Sequence, residues 1–322
     1  VSSAASDVYK RQDETWDAGG RTLTPGFNDA HSHTVWFGQT LLEVDLSQVA
    51  TPADVYSALA TAEPNTDGWV IASGFRPSAL DAPVTIAELD RATHGQPLLI
   101  KHNSGHAYTV NTAALRAAGI DPANPPEVEG GEFVRDEDGN CTGLVDENAM
   151  RAIQSVTLPE SGEEIAQALE LATQRYLERG LTSVTDAGVA GGWIGHSPRE
   201  IAAYQQATLH TRMQIMVTMD VLHEIHGHES DGPGWGLDGG LRTGFGDEWL
   251  QIGPVKMFSD GSILGTTAAL TEDYVCCSHH GYFQGDPEQM RERALNAAAS
   301  GWSLAIHAIG DAAVDFAIES LE

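Results

Sequence analysis

The strongest constraint on this chain is a rhythm. From about Val184 to the last residue, short apolar runs alternate with helical stretches. The runs are "LTSVTDAG", "RMQIMVTMDV", "WLQIGPVKMFSDGS" and "WSLAIHAIG". Between them lie "SPREIAAYQQATLH", "DPEQMRERALNAAASG" and the opening of a helix in "DAAVDFAIESLE". Ser197 and Asp286 are placed as N-caps, with Pro198 and Pro287 at the first helical position and Gly301 as a stop. Upstream, "SGEEIAQALELATQRYLERG" sets Ile165, Ala168, Leu169, Ala172, Tyr176 and Leu177 at helical spacing. Strands alternating with helices imply a parallel sheet with right-handed crossovers. Expected strands near 26–33, 181–186, 212–221, 250–259 and 302–308 make about five βα units, either an open sheet or a partial (β/α)8 barrel.

Residues 63–160 break the rhythm. They hold the short strands "WVIASGF", "PLLIKHN" and "AYTV", the turn "DEDGN" and the Pro-rich "DPANPPEVEGG". This tract is read as an α+β insertion following the first βα unit. The opening "VSSAASDVYKRQ" fits no pattern, and residues 1–12 are read as an unstructured artefact outside the fold.

The apolar strands end in polar side chains. "PGFNDAHSH" places His31 and His33 one residue apart; in a strand they would share a face and could grip one ion. Lys256 closes the fourth strand and His307 the fifth. Singly, Lys256 reads equally well as a snorkelling charge and His307 as a satisfied core histidine. Together, at the ends of successive strands that converge on one mouth, they point to a metal centre. His223, His226 and His228 in "LHEIHGHESD" do not form H-E-x-x-H and read as a solvated loop. There is no G-x-S-x-G elbow, and "GVAGGWIGH" lacks the Lys-Ser/Thr of a phosphate loop.

"TPGFNDAHSH", "VKMFSDGSILGTTAAL" and "AIHAIGDAAVD" together resemble the amidohydrolase superfamily, in its family 3, the YtcJ-like branch. "NSGHAYTVNTAALRAAGI" and "GNCTGLVDENA" resemble the insertion of that branch. The resemblance runs from about Asp13 to Glu322. It implies a (β/α)8 barrel with a small β-sandwich, of which residues 13–25 would be a remnant and 26–322 an incomplete barrel. It implies one or two divalent ions, usually zinc, and hydrolysis of a small-molecule amide-type carbon–nitrogen bond. His31, His33 and His307 carry over as ligands, and Lys256 as a carboxylated bridging lysine. His106, Glu147, Asp186 and Asp260 are carried as site neighbours, and Asp311 as a helix cap. The general base of the family lies on a later strand, so the chain is expected to be a fragment, inactive alone, of an active parent. A metal-binding barrel without catalysis is the alternative reading.

Composition bounds the rest. A net charge of -29 over 322 residues argues against nucleic acid and anionic membrane surfaces as partners. Lys10, Lys101 and Lys256 are the only lysines, an acid-rich balance that suits high salt. No apolar run reaches the ~18 residues of a membrane span. Three cysteines, Cys141, Cys276 and Cys277, make no disulfide framework and fit a reducing cytoplasm. Oligomerisation is left open.

Overall fold

The computed structural model describes residues 16–321, apart from 106, 129–130, 192–193, 232–233 and 264. Residues 1–12 therefore lie outside it. Residues 16–26 contain a turn, in which the Arg21 N–H donates to the Ala18 carbonyl, and no strand. The described part of the tract read as a sandwich remnant thus has no strand of its own.

Strand β1 (Phe27–Ser32) runs almost directly into helix α1 (Thr34–Thr40). Strand β2 (Val44–Asp45), helix α2 (Pro52–Ala60), strand β3 (Val70–Phe75), helix α3 (Ile86–Ala92) and strand β4 (Leu98–His102) follow. Next come β5 (Ala107–Val110), α4 (Thr112–Ala117), β6 (Gly131–Arg135), β7 (Cys141–Glu147) and α5 (Met150–Thr157). Helix α6 (Gly162–Glu178) leads back to β8 (Leu181–Val189), then α7 (Glu200–Gln206) and β9 (Arg212–Val217). The remainder is β10 (His223–Glu224), β11 (Trp235–Gly236), β12 (Leu250–Ile252), β13 (Val255–Phe258), α8 (Pro287–Ala299), β14 (Leu304–His307) and α9 (Asp311–Leu321).

One sheet is parallel, in the order β1-β8-β9-β12. Strands β13 and β14 pair in parallel beside it, and a parallel bridge from Thr218 to Lys256 joins the two. The expected fourth strand is thus one strand interrupted at Gly253–Pro254, where proline has no N–H to give a ladder. The five expected βα strands are present, parallel and in chain order. Among the described residues the sheet does not close on itself: β1 and β14 each pair on one side only.

The second sheet is mixed, in the order β2-β3-β4-β5-β7-β6, with parallel pairing from β2 to β4 and antiparallel pairing beyond. It begins at Val44 rather than at residue 63. Strand β2 has two residues, too short to carry a period, and Thr51 starts α2 with a capping box to Asp54. Both faces of this sheet are covered. Leu98 and Ile100 of β4 join the core with Val55, Leu59 and Leu89, while Leu99 points the other way, toward Leu115, Phe133 and Ile153. Hence "PLLIKHN" reads as an unbroken apolar run.

Helix α6 packs on the parallel sheet. Ser161 caps it and Glu164 completes the box. Ile165, Ala168, Leu169, Ala172 and Tyr176 are buried against the parallel sheet, while Leu177 is exposed. Gly38 of α1 sits so close that a Cβ there would lie 2.0 Å from the Ala168 carbonyl. Ser197 does not cap α7, which starts at Glu200 with Arg199 before it. The three cysteines are free, Cys141 buried and Cys276 exposed. Among the described residues no helix is long and apolar enough to cross a membrane.

Candidate metal centre

The first polar strand end is shaped by a bulge. Between the pairs Asp29–Val184 and Ser32–Asp186, three residues of β1 span the length of two of β8. His31 lies in this bulge. His33 is not in the strand, as the spacing had suggested; it is the N-cap residue of α1. The chain turns there because the Thr34 N–H donates to Asp186 Oδ2 at 2.9 Å and the Phe37 N–H to the His33 carbonyl at 3.0 Å. The two rings still meet edge to face, 5.4 Å apart. His33 also stands edge-on to Trp36 at 6.1 Å.

His33 Nδ1 is buried and takes no hydrogen bond. Burial first, then the neighbouring charges of His31, Lys256, His196 and His307, push its pKa down to about 4. Burial, then Lys256 and His307, lowers that of His31. The charges on β13 and β14 thus reach the two rings at the end of β1.

Lys256 is 4% exposed, with its ammonium 5.1 Å from the centre of the Phe258 ring. Burial pushes its pKa down to about 8. Phe258 in turn lies 5.5 Å from the His307 ring. His307 Nε2 is 3.0 Å from the Gly261 carbonyl and 3.5 Å from Asp260 Oδ1. Among the described residues, no three His, Cys, Asp or Glu side chains stand close enough together to hold an ion as they are.

Asp260 and Asp186, carried as site neighbours, do structural tasks. Asp260 is buried, and its carboxylate accepts the N–H groups of Ala269 (3.0 Å), Ile309 (3.1 Å) and Gly310 (2.8 Å). It thereby fastens the segments after β13 and β14 together. Asp186 accepts the Thr34 N–H and the Tyr204 hydroxyl, and burial raises its pKa to about 6. Asp311 accepts from Thr271 N–H at 2.8 Å and Ala312 N–H at 3.0 Å, at the start of α9. His106 and the side chain of Glu147 lie outside the described residues. His223 pairs with Asp238 at 2.9 Å and His228 with the Ser230 hydroxyl at 2.7 Å, each on the surface.

Sequence reasoning missed a second polar group beside the histidines. His196 is buried, with Nδ1 3.2 Å from Gln39 Nε2 and 3.4 Å from Glu160 Oε2. Glu200, also buried, accepts the N–H groups of Ala190 (2.7 Å) and His196 (3.1 Å), so it shapes the loop after β8. Burial raises the pKa of Glu200 to about 7. Lys101 ion-pairs with Glu43 at 2.6 Å. A lysine inside the apolar run of "PLLIKHN", in a chain with three lysines, was the available signal.

Comparison with known proteins places this site in context. The chain is 29% identical over 314 residues to the Bacillus subtilis (strain 168) protein designated amidohydrolase YtcJ, covering 94% of this chain and 56% of that one. It is 28% identical over 328 residues to an N-substituted formamide deformylase of Arthrobacter pascens, covering 96% and 57%. The chain thus spans about half the length of these relatives. The fold matches the crystal structure of an uncharacterized metal-dependent hydrolase from Pyrococcus horikoshii OT3, with a TM-score of 0.69 at 23% identity over 92% of this chain and 56% of that one. The model of the amidohydrolase family matches residues 14–322, and the chain belongs to that family.

Proposed function

We propose that this chain carries the metal-binding part of a hydrolase that cleaves amide-type carbon–nitrogen bonds in small molecules. The observation that carries the reading is the orphaned Nδ1 of His33, buried in a ring that packs against His31 and Trp36 and feels the charges of Lys256 and His307. A buried ring nitrogen without a partner is costly unless something else takes its lone pair. The donor set fits a divalent ion such as zinc, for which neutral imidazoles are ordinary ligands. The low proton affinity of His31 and His33 keeps both rings neutral, with free lone pairs, near pH 7. With His307 Nε2–H donated to the Gly261 carbonyl, its Nδ1 is left for the ion. Lys256, made easier to deprotonate by burial, can present the neutral amine from which a carbamate forms with carbon dioxide.

His31, His33 and His307 would hold a divalent ion, which would supply Lewis acidity toward water and a substrate carbonyl. The protein's own part is positional. Asp186 fixes the turn that aims His33. Asp260 fixes the segments on either side of His307. The five parallel strands are read as part of a (β/α)8 barrel, whose strand ends gather such groups at one mouth. The relative named as a formamide deformylase supports the C–N assignment.

Elemental analysis of the dialysed chain beside a His31→Ala/His33→Ala variant tests the centre. Zinc should be retained by the wild type and lost from the variant; equal content would reject it. Turnover of a panel of N-acyl amides by a zinc-loaded protein extended to the length of the relatives, absent when His31 and His33 are replaced by Ala, separates a hydrolase from a protein that only binds metal; the chain alone should show none.

A further inference from the structure

Next to the histidines lies a cavity of about 330 Å³ that the metal chemistry does not use. Part of its wall is apolar, formed by Trp36, Leu42, Trp69, Leu99, Leu158 and Ile194. Its charged lining is one-sided. Glu43, Glu63, Asp67, Glu160 and Glu164 border it, against the single lysine Lys101. The side chain of Glu43 is 7% exposed. Glu43 Oε1 takes the Lys101 ammonium, while Oε2 is buried and accepts no hydrogen bond. Burial works against the Lys101 charge, but Glu43 and Glu160 outweigh it and hold the pKa above the usual lysine value. One positive charge thus stands inside against two carboxylates, and one carboxylate oxygen still lacks a donor.

The cavity adjoins the candidate centre. Trp36, in its wall, packs edge-on to His33, and the charge of His196, also in its wall, reaches His33. Gln154 borders both this cavity and the one lined by Lys256.

We propose that this cavity is the subsite for the nitrogen side of the substrate, and that it binds an organic ammonium group on an apolar stem. The inference rests on the hydrolase reading for its place in the reaction. Hydrolysis of R–CO–NH–R′ with one water yields R–COO⁻ and R′–NH3⁺. The bond broken is C–N and the bond formed is C–O, and the amine leaves carrying the proton that the carboxylic acid gives up. Glu43 Oε2 and Glu160 supply the acceptors for this cation, and the aromatic walls supply area and cation–π contact for it and its stem.

The test uses the full chain without added metal and follows hexylammonium by ligand-observed NMR titration. Hexan-1-ol and hexanoate serve as neutral and anionic probes of the same stem. Saturable binding of hexylammonium should exceed that of either control roughly tenfold or more, the value of a hydrogen bond to a charged group. Glu160→Gln and Glu43→Gln should each weaken it by a similar factor, while Glu137→Gln, at an exposed turn, leaves it unchanged. Glu160→Gln keeps the Lys101 pair intact, so it reports even where Glu43→Gln fails to fold. Equal binding of the alcohol, or binding unmoved by Glu160→Gln, would overturn the proposal. The two readings fail separately: His31→Ala/His33→Ala should lose zinc and keep hexylammonium, while Glu160→Gln should do the reverse.

Discussion

Replacing Asp186 by Asn tests how the turn before His33 is held. Two effects compete at this carboxyl. Burial disfavours the charged form, while the hydrogen bonds from Tyr204 and Thr34 favour it. Burial wins, raising the pKa from 3.8 to about 6. The folded protein therefore binds this proton more tightly than the unfolded chain does. The stabilisation it brings is fully present below pH ~4 and is lost as pH rises toward ~6. Above that, the folded state carries a constant cost of roughly 3 kcal/mol for a shift of about two units. Asn keeps the acceptor for the Thr34 N–H and removes the charge, and the Tyr204 hydroxyl can turn to accept from the new amide. Part of the shift falls close to the isoelectric point of about 4.5, where solubility is poorest. From pH 5 to 8, the stability of Asp186→Asn relative to wild type should improve by roughly 1–1.5 kcal/mol, the remainder of that integral. Glu200, whose pKa is raised partly by Asp186, should titrate lower in the variant. Urea midpoints for both proteins across that range are the assay. A difference that stays flat with pH, or one in which wild type gains on the variant as pH rises, would show that the hydrogen bonds dominate and that the argument from burial is wrong.

Two further outcomes follow from close contacts. Gly38→Ala drives a methyl into the Ala168 carbonyl and should lower stability by roughly 2–3 kcal/mol, read as a fall in the urea midpoint, because neither helix backbone can yield cheaply. Asp260→Ala strands three N–H donors and should cost roughly 3 kcal/mol or more; amide exchange at Ile309 and Gly310 should accelerate well ahead of exchange in α6.

What could be read from the sequence is what depends on neighbours along the chain. The strands expected at 181–186, 212–221 and 302–308 appear as β8, β9 and β14, because apolar runs of that length between helical stretches allow little else. Asp286 caps α8 as expected, accepting the Gln289 N–H, since a cap and its helix lie within four residues. The second sheet was legible as short strands but not in its extent, because the two residues of β2 have no periodicity to detect. The site shows the same division. The positions of His31 and His307 near strand ends follow from local pattern, while Lys256, expected to close its strand, lies inside β13. The partners of the acids do not: Asp186 holds an N–H 152 residues away, and Glu43 a lysine 58 residues away. Asp186 and Asp260 were legible as residues near a site, and only the fold shows that they face the backbone. Their burial also explains why that is so. A carboxyl this deep can stay in place only if the N–H groups around it are otherwise unpaired, and the turns that carry the histidines are where such groups occur. The acids are therefore tied to the histidines by the geometry of strand ends, where both the orphaned backbone donors and the candidate ligands arise.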